Sequence, residues 1–176
     1  TMILTFKLAF ITTVVLLPIG IALAYFFYTT TSKFGTMLEA LIWMPLVLPP
    51  SVLGFYLLVA LSKHNFLGKF LLEHCNFQIT FSFGGLVIAS VIFSLPFMVN
   101  PIKNGICSVP NSLKEASYTL GKSKLYTLFF VLLPNVKSAI LLGCVTSFAH
   151  TIGEFGVVMM IGGSRAGETK VASIAI

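Results

Sequence analysis

The chain has 176 residues, 57% of them hydrophobic and 9% charged, with a mean hydropathy of +1.00. A soluble domain carries about 25% charged residues, so this chain has too few polar groups to cover a water-facing surface and reads as a membrane protein. The net charge of +6 does not point to nucleic acid, because the lysines lie beside apolar runs rather than clustering on a soluble fold.

Four stretches meet the requirement of about 20 apolar residues for a crossing helix. They run over 8–28, 38–61, 83–99 and 136–152, the last with an apolar continuation to Ile161. No repeat or soluble domain separates them, so residues 1–176 read as one transmembrane domain of all-α class, a polytopic helical bundle. The first stretch lacks a small-residue exit, so no cleavable signal peptide is expected.

Prolines punctuate these stretches. Pro18 and Gly20 interrupt the first, Pro45, Pro49 and Pro50 fall within the second, and Pro96 lies in the third. Proline removes a backbone donor and clashes with the preceding turn. At membrane depth the freed carbonyls are tolerated only inside protein or beside a watery cavity. Interrupted helices often mark a substrate path in transporters. Pro49, Pro50 and the adjacent Ser51 are therefore candidate path residues, with a packing kink as the plainer reading.

The third loop, about 103–134, is the basic one. It brings Lys103, Lys114, Lys122 and Lys124, with Lys137 just after it, against the single acid Glu115. Ser112 and Glu115 have the S-x-x-E spacing of a capping box, which predicts a helix starting at Leu113. Gly121 is the natural stop. Leu113, Ala116, Ser117 and Leu120 then fall on one small, mildly apolar face. Ser123 is placed to cap a second helix through Leu133, which Pro134 ends, leaving Asn135 to cap the fourth span. Two turns of helix are marginal alone in water, so this segment must dock on something. A helix held at lipid headgroups would explain the lysines but not the glycine and proline punctuation.

Loop charge sets the expected orientation. Lys33, the four lysines of the third loop and Lys137 just after it face Lys7, Lys63, Lys69, Arg165 and Lys170 on the other side. The totals are close, but the density of the third loop places it in the cytoplasm and the N-terminus outside.

A second group of residues lies near the end of the fourth stretch. Glu154 is 19 residues beyond Asn135, about 28 Å along a helix, which places it near the external interface. Ser147 and His150 precede it, and Gly153 and Gly156 flank it, letting the backbone leave the helix. A carboxylate is a poor ligand for an anion, and a buried, unpaired one is costly. Glu154 is therefore expected to accept backbone or hydroxyl donors, or to pair with a lysine or Arg165, in a structural role at an external gate. Cys75, Cys107 and Cys144, and His64, His74 and His150, are dispersed, so no metal site is expected.

Glu115-Ala116-Ser117, three residues, Gly121, nine residues, then Val131-x-Leu133-Pro134 resembles the EAA loop of ABC importer permeases, with Ser117 and Val131 as mild departures. "MPLVLPPSVLGFYLL", "GEFGVVMMIGG" and "ETKVASIAI" extend the likeness along the chain to the molybdate/tungstate permease family, and sulfate permeases are similar. The resemblance implies a cytoplasmic coupling helix made by Leu113, Glu115, Ala116, Ser117, Leu120 and Gly121, with Leu133 and Pro134 closing the loop. It implies a homodimer of permease copies, two cytoplasmic ATPase subunits that use ATP and Mg, and an external oxyanion-binding protein, in the inner (plasma) membrane of a prokaryote. It also implies that this chain binds no cofactor and is not itself an enzyme, and that a fifth span follows Ile176. A sulfate permease is the runner-up. A channel, scaffold or membrane-embedded enzyme would need no ATPase-docking helix.

Overall fold

The computed structural model describes residues 1–30, 32–62, 65, 80–165 and 169–175, and among them the chain is helical throughout, without strands. The helices are α1 (Met2–Thr29), α2 (Lys33–Val47), α3 (Pro50–Ala60), α4 (Phe83–Ser108), α5 (Asn111–Thr119), α6 (Lys124–Asn135), α7 (Lys137–Gly153), α8 (Gly156–Gly162) and α9 (Ala172–Ala175). Lys63, His64, Lys69, His74 and Cys75 lie outside the described residues.

Two helices, α1 and α4, are each long and apolar enough to cross a membrane. Two further pairs qualify only when joined across a bend: α2 with α3 at 116°, and α6 with α7 at 75°. In lipid, helices gain little from leaving an apolar solvent, so association rests on close packing and hydrogen bonds. The buried positions of α1, Thr5, Leu8, Ala9, Thr12, Leu16, Gly20, Ala24 and Phe27, fall at three- and four-residue steps and form one stripe. That stripe lies on α4, where a Cβ on Gly20 would come within 2.3 Å of Met98 Cγ. Gly20 is therefore a contact point rather than a break. Leu16, Ala24 and Phe27 join Met98, Val99, Ile102 and Ile106 of α4 and Leu128, Leu132 and Val136 in the largest core cluster.

The prolines behave unequally. Pro18 lies inside an unbroken α1, and Pro96 and Pro101 lie inside an unbroken α4, so the expected interruptions of the first and third stretches do not occur. Because α4 runs on to Ser108, Lys103 is a helical residue and not part of the loop; it pairs with Glu39 of α2. The break falls at Leu48 and Pro49, both extended, with ψ of 141° and 134°. Each precedes a proline, and proline disfavours the α conformation in the residue before it. Two extended residues in succession turn the chain, and Pro50 restarts the helix at its first position, where its missing N–H costs nothing.

Pro134 does not end α6. The helix widens over Leu128–Leu132 into a π turn in which the Leu133 N–H reaches the Leu128 carbonyl, and it then continues to Asn135. A wider turn is a recognised way to absorb an irregularity in the ladder. Asn135 does not cap α7 either: its Nδ2 donates to the Val131 carbonyl at 2.7 Å, and Val136 takes the cap position.

Candidate functional site: a short presented helix and a polar cleft

The helix α5 follows an extended pair, Val109 and Pro110, with ψ of 127° and 136°. Pro110 is the N-cap, and its ring fixes the φ that starts the helix. Ser112 is thereby drawn into the first turn. The capping box expected of Ser112 and Glu115 does not form, and no side chain caps the helix. Such a box requires its serine at the extended residue before the helix, and Pro110 already holds that place. Glu115 is exposed and its carboxylate serves no cap.

The exit of α5 is built on Gly121, at φ +72°. The Gly121 N–H donates to the Tyr118 carbonyl at 2.9 Å and the Lys122 N–H to the Ser117 carbonyl at 3.1 Å. This doubled closure is the Schellman arrangement, which needs the left-handed residue that glycine supplies. Ser123 then caps α6, accepting from the Tyr126 N–H at 3.2 Å.

The face expected of α5 is split. Leu113, Ala116 and Leu120 are exposed, Leu120 to 76%, but Ser117 turns inward and is 6% exposed. Its hydroxyl lies 2.8 Å from Thr127 Oγ1, which itself donates to the Ser123 carbonyl at 3.0 Å. Thr127 has one proton and a carbonyl can only accept, so Ser117 is the donor to Thr127. The other inward residue is Lys114, held on Tyr28 of α1. Leu133 packs on the core cluster, away from the presented face, and Pro134 is exposed at the bend.

The second site is a cleft of about 640 Å³ where the starts of α3 and α8 meet the end of α7. Pro50, Ser51, His150, Gly153, Glu154 and Gly156, read separately from the sequence, all line it. Pro49 does not line it but makes the bend that brings α3 there. Ser147 is fully buried instead, and its Oγ has no hydrogen-bond partner among the described residues.

His150 is fixed by neighbours that the sequence reading missed. Its ring is stacked on Phe97 at 4.1 Å and tilted against Phe93 at 5.0 Å. Its Nδ1 lies 3.0 Å from Ser94 Oγ, which is 3.1 Å from Thr151 Oγ1, which donates to the Ser147 carbonyl at 2.9 Å. One proton per hydroxyl again sets the direction: Thr151 spends its own on the carbonyl, Ser94 donates to Thr151, and His150 donates from Nδ1 to Ser94. Nε2 is left as the acceptor of the neutral ring. The i, i+4 aromatic pair Phe93 and Phe97 was the available signal, but nothing local tied it to a histidine more than fifty residues away.

Glu154 departs from expectation. It is 4% exposed, and neither carboxylate oxygen has a hydrogen-bond partner among the described residues. The Ser90 hydroxyl neighbours it without reaching hydrogen-bond geometry. Arg165 is not its partner; Nη1 donates to the Phe81 carbonyl at 3.4 Å. What anchors Glu154 is its backbone, whose carbonyl accepts from Ser173 Oγ at 2.7 Å.

The cleft depends on close approach. A Cβ on Gly156 would lie 2.9 Å from both Pro50 Cβ and the Ser51 nitrogen, and one on Gly54 would lie 3.0 Å from Val157 Cα. Gly156→Ala should therefore push α3 from α8 and cost about 1–3 kcal/mol. In thermal unfolding of the detergent-solubilised protein that is a fall of roughly 2–4 °C per kcal/mol. Gly153→Ala is the control, because nothing lies within 4 Å of its added carbon.

Residues 6–175 match the family described as binding-protein-dependent transport system inner membrane component. The chain belongs to that family. It is similar to the molybdenum transport system permease protein ModB of Azotobacter vinelandii, 39% identical over 98% of this chain and 76% of that protein. The ModB protein of Escherichia coli K12 is 32% identical over 95% of this chain and 73% of its own length. The sulfate transport system permease protein CysT of Salmonella typhimurium is 33% identical over 80% of this chain and half of that protein. As a family member the chain is an inner-membrane transport permease, and its helices are those of a multi-pass membrane protein.

Proposed function

We propose that this chain is the pore subunit of an ATP-driven importer of a tetrahedral oxyanion, molybdate or tungstate, and that α5 docks on a cytoplasmic ATPase. The observation that carries the reading is α5 itself. It presents Leu113, Glu115, Ala116 and Leu120 outward and ends on a left-handed glycine, beside an otherwise apolar bundle. Its lysine-rich surroundings support a cytoplasmic position, with the N-terminus outside. The likeness to ModB over nearly the whole chain supports the substrate.

In this reading two copies of the permease enclose the path within the lipid, and an external binding protein delivers the oxyanion. Two ATPase subunits use ATP and Mg, and this chain contributes no catalytic residue. The cleft is the share of the path given by each copy. Its polar groups are Ser51, His150 and Glu154, with no cation among the described lining residues. Such a lining suits passage and gating of an anion rather than its retention.

Sulfate is the second reading, favoured by the likeness to CysT. Proteoliposomes holding the permease with its ATPase, supplied with binding protein and labelled molybdate, separate the two. The expected result is ATP-dependent uptake of molybdate, competed by tungstate and weakly by sulfate. Sulfate as the stronger competitor selects the second reading. Flux without ATP contradicts both.

A further inference from the structure

Among the described residues, the two buried side chains of the short helix are Lys114 and Ser117, while the rest of it is exposed. Ser117 holds it to α6 through Thr127. Lys114 holds it to α1. Lys114 is 9% exposed, its Nζ donates to the Tyr28 hydroxyl, and it lies 4.6 Å from the centre of the Tyr28 ring. Among the described residues it has no carboxylate partner. A lysine is rarely buried unless paired. Here the phenol oxygen and the negative end of a helix stand in for a counter-ion. Tyr28 belongs to the last turn of α1, which carries no basic residue of its own, so α5 supplies the cation there.

The other end of α1 is tied as specifically. Thr5 is 3% exposed, and its Oγ1 accepts from the Ala172 N–H at 2.8 Å. The next residue, Ser173, is the one that donates to the Glu154 carbonyl. Between Thr5 and Tyr28, α1 is an unbroken helix, Pro18 included. The chain of contacts thus runs from the presented helix through Lys114 and Tyr28, along α1, through Thr5 to the segment that backs Glu154 in the cleft.

We propose that Lys114, Tyr28 and Thr5 are positioning residues of the transport cycle. Lys114 and Tyr28 fasten α5 to α1, and α1 carries a displacement of α5 as a rod to the Ala172–Ser173 segment and hence to the cleft. This rests on the reading of α5 as the ATPase-docking helix. It goes beyond that reading by naming the element that carries the motion and its fastenings at both ends. Rigid helices joined by discrete contacts are a physical route for coupling.

The test uses the whole transporter in proteoliposomes and reads molybdate carried per ATP hydrolysed, with ATPase copurification as a separate measure of docking. Lys114→Met, Tyr28→Phe and Thr5→Val leave the exposed face of α5 untouched. Each should copurify with the ATPase like the wild type and lower the transport-to-hydrolysis ratio about tenfold. Contacts acting in series are not additive, so adding Tyr28→Phe to Lys114→Met should bring little further loss. Lys114→Arg, which keeps the charge and a donor, should restore much of the ratio. If Lys114→Met fails to assemble, Tyr28→Phe decides alone, since it removes a single oxygen. Wild-type ratios in assembled Tyr28→Phe and Thr5→Val overturn the inference while the permease reading stands. A wild-type complex without ATP-driven uptake overturns both.

Discussion

Gly121→Val is expected to leave ATP hydrolysis running while oxyanion uptake falls at least tenfold. The effect is one of backbone alone, because nothing lies within 4 Å of a Cβ at this position. The residue sits at φ +72°, where an L side chain costs roughly 1–2 kcal/mol, and a β-branched one is a genuine outlier. Valine therefore drives the turn out of the left-handed region. The Lys122-to-Ser117 and Gly121-to-Tyr118 closures are then lost together. The chain leaves α5 in a new direction, and the exposed Leu113, Ala116 and Leu120 no longer face as they did. Gly121→Asn should retain most of the uptake, because asparagine tolerates this conformation. Uptake per ATP hydrolysed, measured on matched amounts of assembled complex, checks both variants. Wild-type coupling in Gly121→Val would mean that the direction of exit from α5 does not matter.

The second large effect is expected from Pro49→Ala combined with Pro50→Ala. The pair returns two backbone donors and frees Leu48 and residue 49 from the restriction that a following proline imposes. The 116° bend between α2 and α3 then has no remaining local cause. A straightened helix draws Ser51 from the cleft and separates α3 from α8, whose contact depends on Gly54 and Gly156. Uptake should fall more than tenfold, while ATPase copurification stays intact because α5 lies on other elements. Unchanged uptake would reduce the bend to a packing kink.

Much of the polar punctuation was legible because its cause is local. Gly121 and Ser123 act through their own backbone and side chain within a turn, and both are where the sequence places them. The Pro49-Pro50 break is likewise a two-residue effect. Ser112 and Glu115 show the limit of that reasoning. Their spacing fits a capping box, but Pro110, two residues earlier, claims the helix start first. Pro18, Pro96, Pro101 and Pro134 show another limit: a proline need not break a membrane helix, and these four lie within helices that continue past them. The residues of the cleft could be picked out singly, since broken helices and an apolar-run glutamate stand out. Their arrangement could not. Ser94 meets His150 across 56 residues, Lys103 meets Glu39 across 64, and Lys114 meets Tyr28 across 86. Such pairings are decided by packing, and no periodicity announces them.

The central claim, that α5 is the surface on which the ATPase docks, is tested most directly by photo-cross-linking from Leu120. Its side chain is 76% exposed at the presented end of α5, and Ile3, 85% exposed on α1, gives a control far from it. A photo-reactive residue is placed at either position in the complete transporter and irradiated with and without ATP. The account predicts an adduct between position 120 and the ATPase subunit whose yield changes with nucleotide, and none from position 3. An ATPase adduct absent from position 120, or equal from both positions, would contradict it.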